Sequence, residues 1–212
     1  MKTFKQLLPV ETARTRWLLG IVFALAALSV GGRAAMADES SSTVRWDVLN
    51  VDFVTLTLNA GGMASAKAND GSKITVTASG TFKIEDGHFE DVNGGGRWTT
   101  FDASNAVTGS GTYKATGVVQ WLQAPGTPPL PHDNIGNLAD SHAGLVVLRV
   151  SYSDGSRGIL VVSCTIVGTP AAVFEGITAT KGYVDYWNRE APPAPPVNGN
   201  RTNFHVSVTP DD

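Results

Sequence analysis

The sequence holds a single cysteine, Cys164, in 212 residues. One thiol excludes an internal disulfide framework, so the chain must be held together by its own core. Charge is sparse too, with Asp, Glu, Lys and Arg at 17% of the residues. No apolar run reaches the roughly 20 residues that a membrane-crossing helix needs. Catalytic signatures are also missing. There is no H-E-x-x-H, no paired C-x-x-C, no G-x-S-x-G and no phosphate-cradling glycine loop ending in Lys-Ser or Lys-Thr. After residue 37 no stretch carries a helical period.

What is present begins with an export pattern. Lys2, Lys5, Arg14 and Arg16 face one acid, Glu11, and the apolar run Trp17–Val30 follows. Gly31-Gly32 breaks that run, and Ala35-Met36-Ala37 precedes Asp38. A positive start, a short apolar stretch and a small-x-small exit predict a cleavable secretory signal over 1–37, with the mature chain starting at about Asp38. The expected location is therefore secreted or periplasmic, with a single domain over 38–212. The leader holds five of the 16 Lys and Arg and one of the 19 Asp and Glu, which leaves 11 positive and 18 negative groups. Such a balance argues against nucleic acid as a partner and against an anionic membrane surface.

Period-two alternation runs through residues 38–212. Runs rich in Thr, Val, Ile and aromatics are bounded by Gly, Asp, Asn and Ser, which is strand-and-turn chemistry. Strands are predicted at 44–58, 63–68, 73–84, 97–101, 108–123, 143–152, 157–167, 176–187 and 202–208. Asn69-Asp70-Gly71-Ser72 and Ser153-Asp154-Gly155-Ser156 predict two tight hairpins, because glycine supplies the positive φ these turns use. The second hairpin is apolar on both faces, which predicts a central position covered on both sides. The first strand changes parity near Phe53-Val54, which predicts a bulge or a sharp bend.

A-S-G-T-F at 78–82, G-G-G-R-W at 94–98 and G-S-G-T-Y at 109–113 each set glycine before an aromatic. Such glycines mark curvature or close backbone approach. The predicted fold is therefore all-β: a strongly curved antiparallel sheet forming a closed or nearly closed barrel of about eight to nine strands, with a two-sheet β-sandwich as the alternative. Small secreted barrels of the avidin-like and allene-oxide-cyclase or dirigent-like kinds show a similar glycine–aromatic look. That similarity extends over three pentapeptides and assigns no family. Two proline-rich loops, 124–142 and 189–200, interrupt the sheet, and loops of this length on a β scaffold are where a site is expected.

Candidate residues fall into four groups. Along 176–187 and its lead-in one parity carries Glu175, Lys181, Tyr183, Asp185 and Trp187, so burying the aromatics would draw the charges into an inward, partly polar ligand pocket. His205 lies on the face of 202–208 opposite Phe204, exposed by default. Pairing of that strand with 176–187 would bring it near Asp185 or Tyr183. His132, Asp133, Asp140 and His142 are weak candidate metal ligands without rigid ligand spacing. His88 is expected in an acidic loop with Glu85, Asp86, Glu90 and Asp91, without a calcium-loop pattern. Cys164, in an apolar strand, reads as a small buried hydrophobe. Asn200-Arg201-Thr202 is a formal glycosylation sequon. No cofactor is implied. The expected role is a binding or interaction module for a small molecule or glycan. The alternatives are a barrel enzyme of cyclase or isomerase type with its chemistry in the lumen, and a structural surface protein without ligand.

Overall fold

The computed structural model describes residues 41–209 apart from residue 129. The predicted leader and its exit at Asp38 lie outside the described residues. The chain runs through β1 (Ser41–Asp52), β2 (Thr57–Ala60), β3 (Ala64–Lys67), β4 (Lys73–Val76), β5 (Ser79–Glu85), β6 (His88–Phe101) and β7 (Val107–Ala124). It continues through β8 (His132–Asp133), a single 3-10 turn (Leu138–Asp140), β9 (Ser141–Tyr152), β10 (Arg157–Cys164), β11 (Gly176–Lys181), β12 (Val184–Tyr186), β13 (Asn188–Arg189) and β14 (Thr202–Thr209).

Six of these strands close a ring. β1 pairs with β5, β5 with β6, β6 with β7, β7 with β9, β9 with β14, and β14 returns to β1, every pair antiparallel. The all-β barrel expectation holds, with outer strands added to it. β10, β11 and β12 extend the sheet from β9. β4, β3 and β13 extend it from β6. β2 folds back on β1 and takes the short parallel strand β8 along its edge.

The glycine–aromatic pentapeptides bring the wall in against large side chains. Gly80 on β5 stands opposite Gly94 on β6. A Cβ on Gly80 would fall 2.6 Å from the Trp46 ring and 2.3 Å from the Asn93 carbonyl oxygen. Gly111 plays the same part under the Trp98 indole, at 3.0 Å. Trp46, Phe82, Phe204, Val44 and Leu148 are fully buried and fill the interior. Trp121 packs edge-on to Phe204 at 4.7 Å between ring centres.

Both Asp-Gly hairpins form, with Gly71 at φ +85 and Gly155 at φ +87. In each, the Asp side chain accepts from the backbone N–H and the hydroxyl of the serine two residues on. The β9–β10 hairpin is central, but only one face is fully covered. Val146, Leu148, Leu160 and Val162 are buried, while Leu145, Val147, Ile159 and Val161 on the other face are half-buried.

Four strand expectations are corrected, the first being 73–84, which the structure divides into β4 (Lys73–Val76) and β5 (Ser79–Glu85). Residues 44–58 form two strands: β1 ends at Asp52, whose carboxylate accepts from Val54 N and Thr55 N and caps a turn through Leu56 at φ +55. Residues 88–93, expected as an acidic loop around His88, open β6, with His88 paired to Glu85. Residues 176–187 reverse direction at Gly182 and Tyr183, Gly182 having φ +59.

Candidate functional site

That reversal decides the fate of the expected inward pocket. Residues opposite one another in an antiparallel pair share a face. Ala179 faces Tyr186, and both are buried. Asp185 faces Thr180 on the other side and is exposed. Tyr183, at the tip, is fully exposed, and Trp187 is 61% exposed. Lys181 alone keeps the inward side. Its ammonium lies 4.2 Å from the centre of the Trp98 ring and 5.3 Å from that of Tyr152, and it forms an ion pair with Asp154. Lys181 thereby holds Asp154 well ionised, with a pKa lowered to about 2. The structure does not join Lys181, Tyr183, Asp185 and Trp187 in one pocket, because parity inverts at Gly182.

His205 is corrected in the opposite sense. It is buried, and β14 pairs with β1 and β9 rather than with 176–187. The reason is a second polar layer between the barrel wall and the 124–142 loop. His205 Nε2 lies 2.7 Å from Asp133 Oδ2, and the Asp133 carboxylate also accepts from Ile135 N and Gly136 N. Ser141 Oγ donates to Asn203 Oδ1 at 2.9 Å. His205 Nδ1 has no hydrogen-bond partner among the described residues. Among the described residues no group of three or more His, Cys, Asp or Glu side chains is placed to hold a metal ion. His132 is exposed, Asp133 serves His205, Asp140 ends the 3-10 turn, and His142 bonds to Gln123, so the four weak metal candidates form no ligand group.

Both proline loops do bear on a cavity. It has a volume of about 390 Å3 and lies outside the barrel. Leu49 and Val51 of β1, Leu58 of β2 and Phe53 form its floor. Pro128 and Leu130 close one side, Pro192 and Pro195 the other, and Ile166 a third. The 189–200 loop is fixed by its residues Asn198 and Asn200 and by Arg201, which follows it. The Asn198 side chain accepts from Val51 N at 2.7 Å and donates to Val51 O at 2.9 Å, as a neighbouring strand would. Arg201 donates to the carbonyls of Pro193, Val197 and Gly199, and its guanidinium lies 5.0 Å from the centre of the Phe53 ring. Asn200 accepts from Ser65 N and donates to Ala191 O from a buried position. Its amide is therefore engaged inside the fold and closed to glycosylation.

Of the residues singled out in 175–187, Glu175 alone reaches this cavity. Its Oε1 accepts from Thr202 N at 2.6 Å and Thr202 Oγ1 at 3.2 Å, and its Oε2 accepts from Thr165 N at 2.5 Å. Burial pushes its carboxyl up to about 7, against the pull of those hydrogen bonds and, least of all, of Arg201. Asn198 and Arg201 went unread because an N-x-N-R run after prolines is a turn signal. No local pattern says that its side chains will mimic a strand partner. No family model, curated protein or solved structure matches the chain.

Proposed function

We propose that this protein is a binding module that seats a small, largely apolar ligand between its two proline loops, and that it works outside the cytoplasm after loss of residues 1–37. The observation that carries the reading is the cavity, about 390 Å3, in which aliphatic side chains, Phe53 and prolines make up nine of the fifteen lining residues. Ligand pockets combine a volume of roughly 300–1,000 Å3 with a mainly apolar lining and a small number of polar groups that orient the guest. The polar lining residues Ser141, Thr165, Glu175, Arg201, Thr202 and Asn203 already bond to one another or to backbone groups, which disfavours a glycan. Lumen chemistry of a cyclase or isomerase is not favoured, because Trp46, Phe82 and Phe204 fill the barrel interior. Support for export is the charge, length and exit of the leader.

The test is a fluorescence titration with N-phenyl-1-naphthylamine, a neutral apolar probe. Saturable enhancement at one site is expected, and Leu130→Trp, which fills the cavity from its loop wall, should remove it. No enhancement, or enhancement that survives in Leu130→Trp, rejects the reading.

A further inference from the structure

We propose that the ligand carries a protonated amine on its apolar body and that Glu175 is the group that receives it. The inference rests on the binding reading above and assigns its polar end. The geometry of the carboxyl supports it. Oε1 already accepts two hydrogen bonds, from the N–H and hydroxyl of Thr202, whereas Oε2 accepts one, from Thr165 N. A carboxylate oxygen accepts two, so Oε2 retains a free lone pair. Glu175 lines the cavity together with nine apolar residues and with Ser141, Thr165, Arg201, Thr202 and Asn203.

Among the described residues no Lys, Arg or His forms an ion pair with Glu175. A buried carboxylate without a counter-ion is costly, and an ammonium at Oε2 supplies the missing charge through a charge-assisted hydrogen bond. Arg201, on the same cavity, pulls the carboxyl pKa down only weakly, and burial still raises it. An anionic ligand on Arg201 is the competing arrangement. Arg201 is already engaged, holding three carbonyls of the proline loop and lying over Phe53. Glu175 would also repel an anion.

The groups facing Glu175 define the pH window. Arg201 stays charged throughout. Cys164, from β10, is held as the neutral thiol because burial raises its pKa well above the ordinary value. His205, Asp133 and His142 belong to the polar layer beyond Asn203, outside the cavity lining.

The experiment displaces N-phenyl-1-naphthylamine from the exported protein with 4-phenylbutylamine, 4-phenylbutanol and 4-phenylbutanoate, at pH 8.5 and pH 5.5. The amine remains cationic at both. At pH 8.5 it should displace the probe at concentrations at least about tenfold lower than the alcohol, as expected for a hydrogen bond to a charged group. At pH 5.5, with Glu175 protonated, that advantage should shrink. Glu175→Gln should bind the probe and show no amine preference at either pH. If the variant has lost the probe, the pH dependence of the wild-type preference decides. Equal displacement by amine and alcohol at pH 8.5, or a preference for the butanoate, overturns the inference and leaves the cavity reading standing. Failure of the probe itself to bind removes both.

Discussion

Glu175 gives the folded state a proton affinity that the unfolded chain lacks. Its carboxyl sits at about 7 in the fold against an ordinary 4.5, because burial outweighs its hydrogen bonds. Between those values the folded protein holds a proton that the unfolded chain releases, so the ligand-free protein loses stability as pH rises from about 5 to about 7, by at most about 3 kcal/mol. His142 works the other way: burial lowers its pKa below 6.5, so its contribution is lost as pH falls through that region. Urea midpoints for wild type and Glu175→Gln across pH 5–8 should therefore diverge in slope, with the wild type losing relative stability toward pH 8. Parallel curves would contradict the raised carboxyl pKa. Lys181 is a simpler case. Its ammonium rests on Trp98 and Tyr152 and meets the half-exposed Asp154. A methionine packs on the same rings, so Lys181→Met should cost under about 1 kcal/mol. Probe binding in the distant cavity should be unchanged, and a loss of it would join two regions that the fold keeps apart.

At the level of strands, the wall comes close to the core where glycine allows it. Gly80→Ala puts a methyl group against the Trp46 ring and the Asn93 carbonyl, and should cost about 1–3 kcal/mol in chemical denaturation. Trp46→Phe should relieve part of that cost, so a double-mutant cycle between positions 46 and 80 should show coupling, whereas strict additivity would mean the two do not touch. This part of the molecule was legible in the sequence: alternation placed the strands, Asp-Gly placed two hairpins, and glycine before aromatics marked the curvature. The turn at Gly182-Tyr183 was not, because Tyr183 is a strong strand former and its neighbours continue the alternation. A reversal that flips parity moved Asp185 and Trp187 to the exposed side while Tyr186 took the buried place. His205 was misread for a different reason. Alternation gives the face of a strand and not what covers it, and here the 124–142 loop supplies Asp133 as cover. The cavity was legible only as two loops. Its contents depend on Asn198, Arg201 and Thr202 meeting residues far away in the chain.

Ring closure is a property of the whole molecule. β14 lies between β1 and β9, with Ser41 opposite Thr209 and Ser141 opposite His205, so the barrel cannot close until the last strand is in place. No local sequence signal encodes such a pairing. Pairing between distant segments makes folding slow, since the loop must close before its contacts form. It also ties the stability of each strand to that of the ring. Phe204, fully buried and against Trp121, should cost about 3–5 kcal/mol on replacement by alanine. The transition should stay coincident by circular dichroism and tryptophan fluorescence. Cys164 offers a direct reading of whether β14 or β10 ever leaves alone. Its sulfur is fully buried beneath that strand, 3.9 Å from Asn203 Oδ1, and it is the only thiol in the chain. A thiol reagent such as 5,5′-dithiobis(2-nitrobenzoate) can reach it only when β14 or its own strand β10 lifts, or the barrel unfolds. If the ring opens as one unit, the labelling rate at high reagent should equal the global unfolding rate extrapolated to water, and Phe204→Ala should raise both by the same factor. Labelling that outpaces unfolding by orders of magnitude would mean that β14 or β10 opens on its own, and the sheet would then not open as one cooperative unit.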